Sequence, residues 1–143
     1  MSVFGLHSDI GDVIDSEMLE LIKNNAQLSY SYAIDVKGGR WEEGERAIAS
    51  DAKSSYWYAR KVIGGRWEVG EAAIARDAQE SYYYARDLIR GRFELGEEVI
   101  ATEAEWSYNY AKRVIRGRFE LGEKAIYDTV TYANLYRQFA KTL

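Results

Sequence analysis

The sequence contains no proline and no cysteine, and His7 is its only histidine. No apolar run approaches the ~20 residues that span a bilayer. Each absence excludes something. Without proline every residue after the first keeps the backbone N–H that a helical hydrogen-bond ladder uses, which suits a chain that is nearly all helix. Without cysteine there are no disulfide staples, thiolate metal sites or thiol nucleophiles. A Ser-His-Asp triad would have to recruit His7 from the amino end, where it reads as a solvated terminal residue. The opening Met-Ser-Val-Phe-Gly-Leu-His-Ser-Asp lacks a basic stretch followed by an apolar one, so no secretion signal is expected. The expectation is a soluble cytoplasmic protein with no membrane partner.

What remains is ordinary in bulk and unusual in detail. The chain has 143 residues, 47% hydrophobic and 29% charged, enough for one domain with its own core. A net charge of −4 disfavours a general nucleic-acid binder, which needs a basic surface. Tyrosine stands out, with 12 copies.

The tyrosines mark a repeat. Ser-Tyr-x-Tyr-Ala occurs at Ser29–Ala33, Ser55–Ala59, Ser81–Ala85 and Ser107–Ala111, always 26 residues apart. Gly-Arg-(Trp/Phe)-Glu-x-Gly-Glu follows at Gly39–Glu45, Gly65–Glu71, Gly91–Glu97 and Gly117–Glu123. Arg90–Glu97 and Arg116–Glu123 are the same eight residues. Each copy reads as two short helices. In the second, Asp51 is an N-cap and Ala52, Ser55, Tyr56, Ala59, Val62 and Ile63 fall on one helical face. Gly64-Gly65 ends this helix A. Helix B is expected from near Trp67 to about Arg76, and Asp77 caps the next helix A. The fold class is therefore all-α, a short α-solenoid of 26-residue helix-turn-helix repeats. A single domain over 1–143 is expected. It begins with a segment and capping half-repeat (1–28), in which Ser16–Lys23 is a lone helix B. Repeats at 29–54, 55–80, 81–106 and 107–132 follow, with a closing helix within 128–143.

This pattern resembles short Ser-Tyr-x-Tyr-Ala…Gly-Arg-Trp…Gly-Glu helical repeats in proteins of tailed bacteriophages and large DNA viruses. The resemblance covers Ser29 to about Ile126. It implies a phage-encoded protein acting in the cytoplasm of a host cell, and transfers no specific activity.

Residues identical in every copy serve what every copy shares, which is packing. Gly70 inside helix B costs ~1 kcal/mol in helix propensity, so its recurrence predicts a close approach that a Cβ would block. The two tyrosines of a copy lie about 200° apart, one toward helix B and one toward the next repeat. Arg66-type and Glu71-type residues are the expected partners of their hydroxyls. The carboxylate pairs Glu42/Glu45, Glu68/Glu71, Glu94/Glu97 and Glu120/Glu123 recur on a regular array, unlike a single acid/base site. Asp9, Asp12 and Asp15 are spaced by three, not by two as in a calcium loop, and read as an acidic lead-in and cap. No metal, cofactor or catalytic residue is expected, and the Gly-Gly-Arg turns are not phosphate loops.

Positions that differ between copies are free to serve a partner. One series on helix A runs Ser31, Trp57, Tyr83, Asn109, and another Leu28, Ser54, Glu80, Trp106. Trp57, Tyr83 and Trp106, with Arg60, Lys61 and Arg86 beside them, form the expected partner site, since large aromatics anchor interfaces. Trp57 and Tyr83 are expected side by side on successive helices. Residues 1–28 carry five acids against one base, and 107–143 seven bases against three acids. This gradient leaves self-association open, and makes Lys112, Arg113 and Arg116 candidate phosphate contacts. The leading expectation is a non-enzymatic protein-interaction module that inhibits or redirects a host factor. A nucleic-acid-related role, by phosphate contact or DNA mimicry, and a sponge for a nucleotide signal are the rivals.

Overall fold

A computed structural model describes residues 15–143. His7, Asp9 and Asp12 lie outside the described residues. Asp15 lies inside them, where its carboxylate accepts from the Met18 amide (2.8 Å) and caps α1 (Ser16–Lys23). The chain divides into two compact units, the first ending at Ala73 and the second running Ile74–Leu143. Both are all-α repeats, with no strand among the described residues. No helix among them is long and apolar enough to cross a membrane.

The first unit places α2 (Ala26–Tyr32) against α1, α3 (Glu42–Ile48) and α4 (Ala52–Tyr58). A 3₁₀ turn, Glu68–Gly70, then leads into α5 (Glu71–Ile74), and the division between the units falls inside α5. The second unit repeats the scheme with α6 (Ala78–Tyr84), α7 (Glu97–Ile100), α8 (Ala104–Asn109), α9 (Glu123–Tyr127) and α10 (Val130–Ala140). There α8 packs on α6, α9 and α10.

The helix starts follow from the residues at one register position. Asn25, Asp51 and Asp77 each have extended backbone and accept from the amide three residues on, at 2.8–2.9 Å. Glu103 holds the same position with no side-chain cap bond. The closing helix starts at Val130 with Thr129 as its N-cap, one period after Glu103. The closing helix thus lies within residues 128–143. Helix B is also shorter than its pattern suggested. Trp67 is extended (φ −129°), and the chain turns after Ile74, where the Asp77 amide bonds the Ile74 carbonyl at 3.0 Å.

Each helix A ends in a π-helical turn: Ala33–Lys37, Ala59–Ile63, Ala85–Ile89 and Tyr110–Ile115. The alanine of Ser-Tyr-x-Tyr-Ala is fully buried in every copy, and its carbonyl accepts from the amides five and six residues on. The residue after the turn is left-handed. Gly38 and Gly64 fill that position in the first unit, Arg90 (φ 59°) and Arg116 (φ 58°) in the second. Left-handed backbone costs a residue with a Cβ about 1–2 kcal/mol.

The invariant residues pack as one device. Ser29, Ser55, Ser81 and Ser107 are wholly buried and donate to the carbonyls of Ile22, Ile48, Ile74 and Ile100, seven residues back, at 2.7–2.9 Å. The glycine of helix B sits over the same serine, so a Cβ on Gly122 would come 2.5 Å from Ser107 Oγ and 2.7 Å from the Phe119 ring. The predicted close approach is thus real, and its partners are the serine and the aromatic ring of the same repeat. In the first unit Tyr58 stacks on Trp67 (4.8 Å), donates to Glu45 (2.6 Å) and accepts from the Trp41 amide (2.9 Å). Arg40 holds Glu45 from the other side at 2.7 and 3.1 Å. Tyr110–Glu97–Arg92 and Tyr136–Glu123–Arg118 are built the same way in the second unit.

Candidate functional site

With both tyrosines, the serine and one glutamate of a copy engaged in packing, the side chains left for a partner lie on the outer part of helix A and its π turn. Each unit carries such a surface.

In the first unit, Trp57 stands half-buried one residue after the buried Tyr56, whose ring meets it edge-on at 5.2 Å. Arg60 lies over the indole at 5.4 Å and Lys61 at 5.9 Å. Each is a cation–π contact, with the charge held against the negative face of the ring. Arg60 also donates to the Tyr56 hydroxyl at 2.9 Å, so it is positioned by the repeat itself. Trp57 forms one wall of a groove of about 290 Å³, with Leu28, Tyr30, Ser31, Lys53 and Ser54 on the others. The expected anchor therefore borders a concavity between α2 and α4, with cations above its ring.

In the second unit, Tyr83 meets Trp106 edge-on at 5.5 Å, and the buried Tyr82 lies 5.6 Å from the same indole. Arg86 covers both tyrosines, at 4.9 Å from Tyr83 and 5.4 Å from Tyr82, while a bidentate pair ties it to Asp87 (2.7 and 3.0 Å). That pair, its largest influence, holds the guanidinium firmly in its charged form. Tyr83, Trp106 and Arg86 are thus brought together within the second unit, as Trp57, Arg60 and Lys61 are within the first.

Lys112, grouped with Arg113 and Arg116 by the charge gradient, lies over Tyr108 at 5.8 Å. It holds the register position of Arg60 and Arg86, and lies over Tyr108 as Arg86 does over Tyr82. Arg113 and Arg116 line a different cleft, together with Arg86, Arg90, Gly91 and Val114. Arg90 was missed in the sequence as a site residue. Its signal was nonetheless there, in the change from Gly38 and Gly64 to Arg90 and Arg116 at one register position.

The repeated carboxylate pairs divide the same way in each described ladder. Glu97 and Glu123 are held below the usual carboxylate range, first by the hydrogen bonds of Arg92 and Arg118 and further by Tyr110 and Tyr136. Their partners Glu94 and Glu120 are exposed at the start of a 3₁₀ turn. Comparison with family models, with curated proteins and with solved structures returns no match to this chain.

Proposed function

We propose that the chain is a non-enzymatic protein-interaction repeat that docks a partner on the outer surface of helix A. The observation that carries this reading is the placement of Trp57. It borders a groove, it lies beneath two cations, and its register position holds serine or asparagine in other copies. The fold can thus be built without an indole there. A large rigid side chain at the edge of a concavity buries much area at low entropic cost, as interface anchors do. Tyr83, under Arg86, and Trp106 beside it are the corresponding anchors of the second unit. The engagement of Glu45, Glu97 and Glu123 in the packing ladders supports a structural role for these carboxylates over a catalytic one. The partner expected from the viral repeat resemblance is a host protein met in the cytoplasm.

The test begins by identifying a partner from bacterial host lysate by pull-down and mass spectrometry, and then measures its affinity. The double variant Trp57→Ala, Tyr83→Ala should keep the parent's helicity and melting temperature and bind at least tenfold more weakly. Normal binding by that variant, with loss on charge reversal at Lys112 and Arg113, would move the site to the basic end and defeat the proposal.

A further inference from the structure

Four guanidinium groups share one cleft in the second unit. It has a volume of about 430 Å³, and Arg86, Arg90, Arg113 and Arg116 line it with Gly91 and Val114. No carboxylate is among the lining residues. Arg86 is paired with Asp87. Arg90, Arg113 and Arg116 make no ion pair and no side-chain hydrogen bond among the described residues.

The fold does not account for this concentration. Like charges gathered in one cleft repel each other. Two of the four also stand in left-handed backbone, where the first two copies use Gly38 and Gly64. The repeat closes its helix A without arginine at that position. A cation is favoured near a helix C-terminus, but Arg60 and Lys61 supply one in the second copy from right-handed backbone. The carbonyls of Ala85 and Ala111, at the start of these turns, already accept from two amides each, which closes the turns without the arginine side chains. The arginines at 90 and 116 thus add charge at a conformational disadvantage, and they add it to the same cleft.

We propose that this cleft binds an oligophosphate anion, such as inorganic tripolyphosphate or the triphosphate group of a nucleotide. A guanidinium is planar and offers paired N–H donors that match two phosphate oxygens at once. Three unpaired guanidiniums suit an anion carrying several phosphoryl groups, and the volume falls within the ~300–1,000 Å³ of small-ligand sites. The proposal rests on the cleft alone and not on the docking reading for Trp57.

Titration calorimetry of the full chain with sodium tripolyphosphate and with ATP tests it. The parent should bind tripolyphosphate saturably. Equal binding of ATP would mean that the phosphate chain is what the cleft reads, and tighter binding of ATP that the nucleoside adds contacts. The double variant Arg90→Gly, Arg116→Gly restores the residue of the first two copies. It should keep or raise the melting temperature while losing at least tenfold in affinity, so weaker binding cannot be assigned to misfolding. Lys112→Glu, outside the cleft, and Trp57→Ala, in the other unit, should stay within twofold of the parent. The proposal is overturned if neither anion binds saturably, if the double variant binds like the parent, or if only a single-stranded oligonucleotide binds.

Discussion

A Cβ on Gly96 would sit 2.6 Å from Ser81 Oγ and 2.7 Å from the Phe93 ring, whereas one on Gly91 meets nothing within 4 Å. The two glycines lie five residues apart and belong to the same motif. Gly96→Ala must displace a serine that is pinned to the Ile74 carbonyl and an aromatic ring that fills the core. It should cost about 1–3 kcal/mol, as overpacking does. Gly91→Ala should change stability by less than about 0.5 kcal/mol. Chemical denaturation of the two single variants checks this, and equal effects would refute the packing account. Recurrence flagged both glycines, and the place of the second inside helix B pointed to a close approach there. What the sequence could not supply was which neighbours make that approach, here the serine and the aromatic ring of the same copy. The serine shows the same limit. Ser-Tyr-x-Tyr-Ala announced an invariant residue, but its acceptor is a carbonyl on the preceding helix, and nothing in side-chain pattern points to a backbone atom.

Helix starts were legible because capping is local. Asn25, Asp51 and Asp77 do what their side chains permit at a fixed register position. Glu103 and Thr129 are exceptions, and Glu103 has the extended backbone of a cap (φ −127°) with a side chain one methylene longer that makes no cap bond. Glu103→Asp should let the carboxylate accept from the amide three residues on, as Asp77 does from Glu80 (2.8 Å). A gain of about 0.5–1 kcal/mol is expected from thermal or urea unfolding, and no gain would mean that α8 starts without need of a cap. Helix ends were only half legible. Gly64 marked the stop in the second copy, but the widened π turn leaves no mark in apolar spacing. The tolerance of its left-handed end for Arg90 and Arg116 breaks the glycine rule from which that stop was read.

Across the whole molecule, the tyrosine–glutamate–arginine ladders are expected to limit stability at both ends of the pH scale. Glu97 and Glu123 are held below their ordinary value of 4.5, chiefly by the hydrogen bonds of Arg92 and Arg118. A carboxylate with a depressed pKa stabilises the fold above its unfolded value, and that contribution is lost as pH falls through the folded one. The tyrosines act in the opposite sense. Burial, and then the neighbouring carboxylate, raises Tyr136 from 10.0 to about 12, and raises Tyr58 and Tyr110 as well. Their contribution is present below pH 10 and is lost as pH rises toward 12. The melting temperature should therefore be flat from about pH 5 to pH 10 and fall on both sides. In Tyr110→Phe the alkaline limb should become shallower, and an unchanged limb would remove the ladder from the explanation. The repeat and its all-α class were legible at this scale from the 26-residue period, and the arginine–glutamate–tyrosine partnership from residue type. The arginine cleft was legible only in part: the charge gradient picked out Arg113 and Arg116, but not their meeting with Arg86 and Arg90 of the preceding copy.

The identity of Arg90–Glu97 and Arg116–Glu123 has a consequence for the gene. Tyr136 of the closing helix bonds Glu123 and the Phe119 amide, and Tyr110 makes the same bonds to Glu97 and the Phe93 amide. An in-frame loss of residues 103–128 would bring the closing helix onto the same Arg-Gly-Arg-Phe-Glu-Leu-Gly-Glu segment that it now meets, with Ala101 in place of Tyr127 beside Tyr136. Rearrangements that remove or add whole copies should then yield shorter or longer chains that still fold, each with its own number of outward surfaces.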